Sequence, residues 1–347
     1  MVVLAAVVHL VRPPDLHVDR RLSPARVRKG ELAIAHLRLR NRARRTFTGA
    51  VGIQRVGDVE VEVALPRLRR GDEDVRTSVL PSGQRGRHEV APLVLRRADP
   101  FDLVRAEQRH GRADELLVLP RVLPFRALHD TRRRSLEGVA DDTTPNGTMT
   151  FHQMREYVPG DDVRRIHWPS TARVAHTGTL VVRQDVDDAQ PFVVVLADTR
   201  PEAYPDLDTR ELAIDAAASA VVAVAHGHAP FELRTTTGER LGGPTETPTE
   251  PALEALALTG DEVRSTLTGE LSLVQRGRGG AAAVVVTGDP DAAELGAVTA
   301  LRSRFARVLL VSVTDGPRPR AVHRGLTMVQ GHDAASLTTA WDLAVRG

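Results

Sequence analysis

The hydrophobic pattern of this chain changes period once, near residue 190, and that change restricts the fold more than any other feature. From Leu16 to about Pro124 apolar and polar residues alternate in short runs separated by turns. Examples are LAIAHLRLRN (Leu32 to Asn41), VEVEVALP (Val59 to Pro66), HEVAPLVLRR (His88 to Arg97) and ELLVLP (Glu115 to Pro120). Successive strand side chains point to opposite faces, so this alternation predicts half-buried antiparallel strands, and their sum predicts a small β-sandwich. The run RADPFDLVRAE (Arg97 to Glu107) reads as a structural corner between strands. From Phe192 the apolar runs become continuous: FVVVLADTR (Phe192 to Arg200), AAAVVVTGD (Ala281 to Asp289) and RVLLVSVTD (Arg307 to Asp315). Strands buried on both faces read this way. With FELRTTTG (Phe231 to Gly238) they make four strands, and helices are expected over Thr209 to His226, Asp291 to Phe305 and Asp333 to Val345. Alternating strands and helices predict a doubly wound parallel sheet. The expected fold class is therefore α+β in two domains.

The boundaries follow from texture. Residues 1–15 are an apolar N-terminal segment, 16–125 the β-sandwich, 126–190 a polar connector, and 191–347 the α/β domain. The connector begins with an arginine triplet at 132–134 and a DDTTPNG tract. Met1 to Val11 is apolar apart from His9 and is too short alone to span a bilayer, which takes about 18 apolar residues. It also lacks the basic start and cleavage site of a signal peptide. The segment reads equally as the stub of a membrane anchor or as an edge strand or loose terminus. Were it an anchor, the arginines at 12, 20, 21, 26 and 28 would place the next domain on the cytoplasmic side.

With 347 residues and no cysteine, the chain has no disulfide, no thiolate nucleophile and no cysteine-held zinc. Lys29 is the sole lysine, so arginine carries nearly all the positive charge, and 45 acids hold the formal net charge to +2. No basic stripe interleaved with aromatics appears, so nucleic acid is not an expected partner. His-Glu-x-x-His, Gly-x-Ser-x-Gly, phosphate-loop and Gly-x-Gly-x-x-Gly patterns are missing from the sequence.

One stretch concentrates unlike side chains: FHQMREYVPGDDVRRIHWPSTAR, Phe151 to Arg173. Thr150 to Tyr157 fits an extended entry, and Pro159-Gly160 a turn. Asp161 and Asp162 stand where a short helix would begin, able to cap its free N–H groups. That helix is expected to end at Trp168, with a second from Pro169 to Arg173, and Thr179 to Val186 reads as a strand. A hydrogen-bonded network of Arg155, Glu156, Asp161, Asp162, Arg164, Arg165 and Arg173, with Tyr157 and Trp168 as packing anchors, would fix one domain against the other. The same arginines and Trp168 would also suit a protein partner. An alternative is hydrolytic chemistry here, with Asp161 or His167 as general base.

The string REYVPGDDVRRIHW, followed by STAR and LVVRQ, closely resembles the signature of the domain of unknown function 58 family. The matching positions are Arg155, Glu156, Tyr157, Pro159, Gly160, Asp161, Asp162, Arg164, Arg165, Ile166, Trp168, Ala172 and Arg173; Pro169 departs from it. Outside this stretch the resemblance rests on element order. It implies a C-terminal von Willebrand factor A-like domain, in which Mg²⁺ is often held by an Asp-x-Ser-x-Ser loop, a distant Thr and a further Asp. The corresponding candidates are Asp198, Thr199, Thr287 and Asp289. Here the loop reads Asp198-Thr199-Arg200-Pro201-Glu202, with Arg200 and Glu202 in the serine positions. An arginine there would repel a divalent cation and pair with Asp198, so no bound metal is expected. The resemblance further implies a non-enzymatic adaptor, partner to a MoxR-type AAA+ ATPase in a membrane-associated assembly or maturation system. That would place it in the cytoplasm, at or near the membrane face.

Overall fold

The computed structural model describes residues 15–98, 105–128, 153–156, 166–173, 180–184, 192–243, 245, 248–318 and 326–346. It is a mixed α/β protein with antiparallel and mixed sheets. Ten strands build the N-terminal β-rich unit: β1 (Leu16–Ser23), β2 (Arg26–Arg28), β3 (Ala33–Asn41), β4 (Ala50–Val56), β5 (Val59–Leu65), β6 (Glu73–Leu80), β7 (Gly86–Val90), β8 (Leu93–Ala98), β9 (Arg105–His110) and β10 (Asp114–Leu119). One sheet has the order β1-β3-β6; the other runs β2-β10-β7-β4-β8-β9, with β5 on β4. The alternation does its work here. Leu37 and Leu39 of β3 turn inward onto Leu93 and Leu95 of β8, while Ala33 and Ala35 meet Leu116 and Val118 of β10.

Two expectations need correction in this unit. The sheets are not wholly antiparallel, because β2 runs parallel to β10. Only Pro24 and Ala25 separate β1 from β2, yet the two strands lie in different sheets, and this abrupt crossing delivers β2 beside β10 in the parallel sense. The run HEVAPLVLRR is two strands, broken at Ala91 and Pro92. Proline has no N–H to give a ladder, so the break falls there. The expected corner joins β8 to β9, which are antiparallel partners with Ala98 opposite Arg105.

Between the two units, β11 (Gln153–Glu156) pairs antiparallel with β12 (Val181–Gln184), and α1 (Trp168–Arg173) lies between them in sequence. The helix begins at Trp168, one residue earlier than the pattern suggests. Pro169 sits in its first turn, where a missing N–H costs nothing.

The C-terminal unit comprises β13 (Val193–Ala197), α2 (Leu207–His226), β14 (Phe231–Thr235), β15 (Arg240–Gly242), α3 (Thr249–Leu258), α4 (Leu267–Arg276), β16 (Gly280–Thr287), α5 (Ala292–Ala300), β17 (Phe305–Val313), β18 (Thr327–Gly331) and α6 (Ala334–Arg346). The sheet order is β15-β14-β13-β16-β17-β18. All neighbours are parallel except β15, which runs antiparallel to β14, so the sheet is mixed rather than wholly parallel. Val193 and Val195 face a core shared with α2, α3 and α6, while Val194 and Leu196 face one shared with α4 and α5. Helices thus cover both faces, which is why the β13 run is apolar throughout.

The first core also contains Leu117, Leu119, Leu123, Phe125 and Leu128, all from β10 and the segment after it. That segment, residues 120–128, is a strap laid along α2. The Arg121 amide donates to Asp215 Oδ1 at 2.8 Å, the Leu123 amide to Ser219 Oγ at 2.8 Å, and the Leu128 amide to the Ala223 carbonyl at 3.0 Å. These acceptors stand four residues apart, on one stripe of the helix. A Cβ at Gly227 would collide with the Leu128 carbonyl, so the strap needs a glycine where α2 ends. Further on, Phe125 stacks on Trp341 of α6 with ring centroids 4.6 Å apart and planes 11° apart. Trp341 is wholly buried, and its Nε1 donates to the Arg126 carbonyl at 2.9 Å.

One turn up the same stripe lies Glu211. Its carboxylate sits 3.3 Å from Lys29 Nζ and 3.0 Å from Arg85 Nε, and Lys29 is also 3.5 Å from Asp215 Oδ2. Arg85 Nη1 donates to the carbonyls of Leu256, Ala257 and Thr259, capping the C-terminal end of α3 from the other unit. Burial pushes the Asp215 carboxyl above its usual range, against the pull of Lys29 and the Arg121 amide. It also lowers the Arg85 guanidinium, with Glu211 opposing. The sequence placed the join within the 155–173 stretch, whose side chains lie mostly outside the described residues. The described join includes the sole lysine, Arg85, the strap, and Glu254 of α3, which pairs with Arg26 and Arg87.

Candidate functional site

Of the signature residues, Arg155 and Glu156 belong to β11, where Arg155 is opposite Val182; their side chains lie outside the described residues. Tyr157, Pro159, Gly160, Asp161, Asp162, Arg164 and Arg165 lie outside them altogether. Ile166 is buried, Arg173 is exposed, and Trp168 is 65% exposed, so its indole is presented to solvent at the start of α1. The proposed network among these residues is therefore not visible, whereas the placement of Trp168 is.

The strand-end candidates are better defined. In the C-terminal sheet, β13 leads by α2 to β14 on one side, while β16 leads by α5 to β17 on the other. The sheet's switch point, where open α/β sheets bind ligands, falls between β13 and β16. Asp198 and Thr287 stand at those two strand ends, both buried, and the Thr287 hydroxyl donates to Asp198 Oδ2 at 2.8 Å. Thr199 is buried beside them; its hydroxyl and that of Thr236 are 2.9 Å apart, and its amide donates to Thr236 Oγ1 at 2.9 Å. Tyr204 donates its hydroxyl to the Asp198 carbonyl at 2.6 Å, and Arg210 Nε donates to the Thr199 carbonyl at 2.9 Å. Gly288 lets the chain pass close to this loop, since a Cβ there would collide with the Ala203 carbonyl.

Arg200 closes the site. Its Nε donates to Asp198 Oδ1 at 2.8 Å and its Nη2 to Asp198 Oδ2 at 2.7 Å, a bidentate pair. The same Nη2 reaches Glu294 Oε1 at 2.6 Å. Hydrogen bonding to Asp198 raises the guanidinium's pKa well above its ordinary value, and burial opposes this. Asp289 does not join the cluster. It is exposed and pairs with Arg318 at 2.5 Å, which also lies 3.3 Å from Asp315. Glu202 is likewise exposed.

A divalent cation does not fit this arrangement. Both Asp198 oxygens are engaged, and a fixed positive charge lies on them. Among the described residues no group of three or more metal-ligating acids and histidines converges.

Four participants, Thr236, Glu294, Arg210 and Tyr204, are not among the residues singled out from the sequence. Thr236 follows β14 as Thr199 follows β13, and the hydroxyl run Thr235 to Thr237 was a usable signal. Glu294 belongs to a capping box with Asp291 at the start of α5, visible as Asp-x-x-Glu. Arg210, whose other donors reach Asp261 and the Gly260 carbonyl, had no local signal.

No helix of the described residues is long and apolar enough to cross a membrane. No curated protein matches the chain. A solved structure of the CARDB domain of the PF1109 protein from Pyrococcus furiosus, in complex with di-metal ions, is similar over 30% of this chain and 93% of that one. Identity there is 18% and the TM-score 0.23. A family model, by contrast, aligns with residues 153–336, a span that takes in the signature string from Arg155, the switch-point cluster and every strand of the C-terminal sheet. More than half of the sequence is matched in this way, and the chain belongs to the family described as Protein of unknown function DUF58.

Proposed function

We propose that this chain is a non-enzymatic interaction or scaffold protein, an adaptor to a MoxR-type AAA+ ATPase working at the cytoplasmic face of a membrane. In this reading the β-rich unit is a β-sandwich and the C-terminal unit a von Willebrand factor A-like domain. The strand order, with its single antiparallel edge strand and helices on both faces, supports the latter. The observation that carries the non-enzymatic reading is the Arg200 pair. The buried carboxylate at the switch point, where a substrate or metal would be engaged, is spent on an internal guanidinium. The exposed indole of Trp168 supports docking, because tryptophan and arginine dominate binding hot spots.

The test is retention of a purified MoxR-type AAA+ ATPase by the immobilised chain. Trp168→Ala is expected to weaken binding by about tenfold or more, the usual cost of losing an aromatic anchor. Its exposure means that the thermal transition should not move. Equal retention by the variant, or none by the wild type, contradicts the proposal. So does turnover of an ester or phosphoester panel that is abolished by Asp161→Ala.

A further inference from the structure

Asp198 has no side-chain exposure, and an uncompensated carboxylate in such a place is strongly destabilising. Its compensation comes from two residues along the chain. Arg200, in the loop after β13, folds back to grip both oxygens and at the same time holds Glu294 of α5. Around that guanidinium stand Asp198 Oδ1 and Oδ2 and Glu294 Oε1, with the Thr287 hydroxyl on Asp198 Oδ2 and the Thr236 hydroxyl 3.4 Å from Asp198 Oδ1. This is a set of hard oxygens at the switch point of an open α/β sheet, the chemistry that Mg²⁺, Mn²⁺ and Ca²⁺ prefer. One atom, Nη2, lies 2.7 Å from one carboxylate and 2.6 Å from the other, so the two acids converge on a single cationic centre.

We propose that Arg200 is a tethered cation plugging an oxygen-lined site, and that withdrawing its side chain converts the same oxygens into a binding site for a hard divalent cation. The plug makes the shape of this end of the sheet independent of divalent-ion concentration. A dissociable metal would leave as its concentration fell; a covalently attached guanidinium does not. Without the plug, Asp198 and Glu294 are two anions within a few ångströms of each other, and Coulomb repulsion is relieved either by protonation or by a cation. The inference goes beyond the adaptor reading and does not depend on it, because metal binding reads the same whether or not a partner exists.

Calorimetric titration with MnCl₂, together with thermal unfolding with and without Mn²⁺, decides the matter. The wild type is expected to give no saturable heat and no change in transition temperature on adding Mn²⁺ or a chelator. Arg200→Ala is expected to unfold at lower temperature than the wild type, to bind one Mn²⁺ saturably, and to regain part of the loss when Mn²⁺ is present. Arg200→Ala combined with Asp198→Asn should lose that response. If Arg200→Ala does not fold alone, the same variant and Arg200→Ser are purified in Mn²⁺, and recovery of folded protein there but not in chelator supports the proposal. Saturable Mn²⁺ binding by the wild type overturns it. So does the absence of binding by a folded Arg200→Ala, or failure of both variants to fold with Mn²⁺.

Discussion

Replacing Trp341 with alanine is expected to destabilise the whole chain by about 3–5 kcal/mol, at the upper end for a large-to-small core change. Two losses combine. The indole is wholly buried, and it stacks on Phe125, a residue contributed by the strap rather than by the C-terminal unit. Its Nε1–H is also the partner of the Arg126 carbonyl, which would be left without that donor. Trp341→Phe separates the two effects. It retains a ring against Phe125 and forfeits the hydrogen bond, so it should cost roughly 1–3 kcal/mol. Urea midpoints at constant slope measure both. A shift below about 1 kcal/mol for the alanine variant would mean that the strap is not seated on α6.

The second large effect is expected at Glu211. Glu211→Gln keeps the shape and removes the charge that Lys29 and Arg85 share. Breaking a fully buried pair by removing one partner costs about 3–5 kcal/mol, and the exposure of Glu211 (17%) and Lys29 (18%) reduces this to roughly 2–3 kcal/mol. Arg85 would keep its three carbonyl acceptors at the end of α3, so the helix cap should survive. A cycle with Lys29→Met isolates the pair. A coupling energy of about 1 kcal/mol is expected, and additivity of the two changes would deny the contact any role.

Much of the fold could be read from the sequence because periodicity is a direct print of burial. The alternation of β3 and β5 and the unbroken run of β13 have the periods that one-sided and two-sided burial demand. What escaped was the short β15, the weakly patterned β18 and the ten-residue helices α3 and α4. β15 has three residues, and in β18 only Thr327 and Val329 are strong strand formers. α3 opens on Thr249, Glu250 and Pro251, a first turn that suits a helix N-terminus, although no helix is expected there from the sequence. Within α2 the sequence carries a second pattern beside its apolar run. Glu211, Asp215 and Ser219 recur every four residues in a helix otherwise rich in Ala and Val. Such a polar stripe on a buried helix demands partners, and the strap with Lys29 and Arg85 supplies them.

The site divides in the same way. That Arg200 would lie on Asp198 followed from two residues of separation and opposite charge. Glu294 is 94 positions from Arg200 in sequence, and only the topology of the sheet brings α5 to it. The signature stretch marks the family strongly, yet of its charged residues only Arg173 has a described side chain, and that one is exposed.

Contacts through α2, the strap and the Lys29 cluster are expected to make the two units unfold as one body. Differential scanning calorimetry of the wild-type chain tests this most directly. A single transition whose calorimetric and van't Hoff enthalpies agree is the expected result, with Trp341→Ala moving it as a whole. Two separate transitions in the wild type, only the upper or lower of which responds to Trp341→Ala, would contradict it.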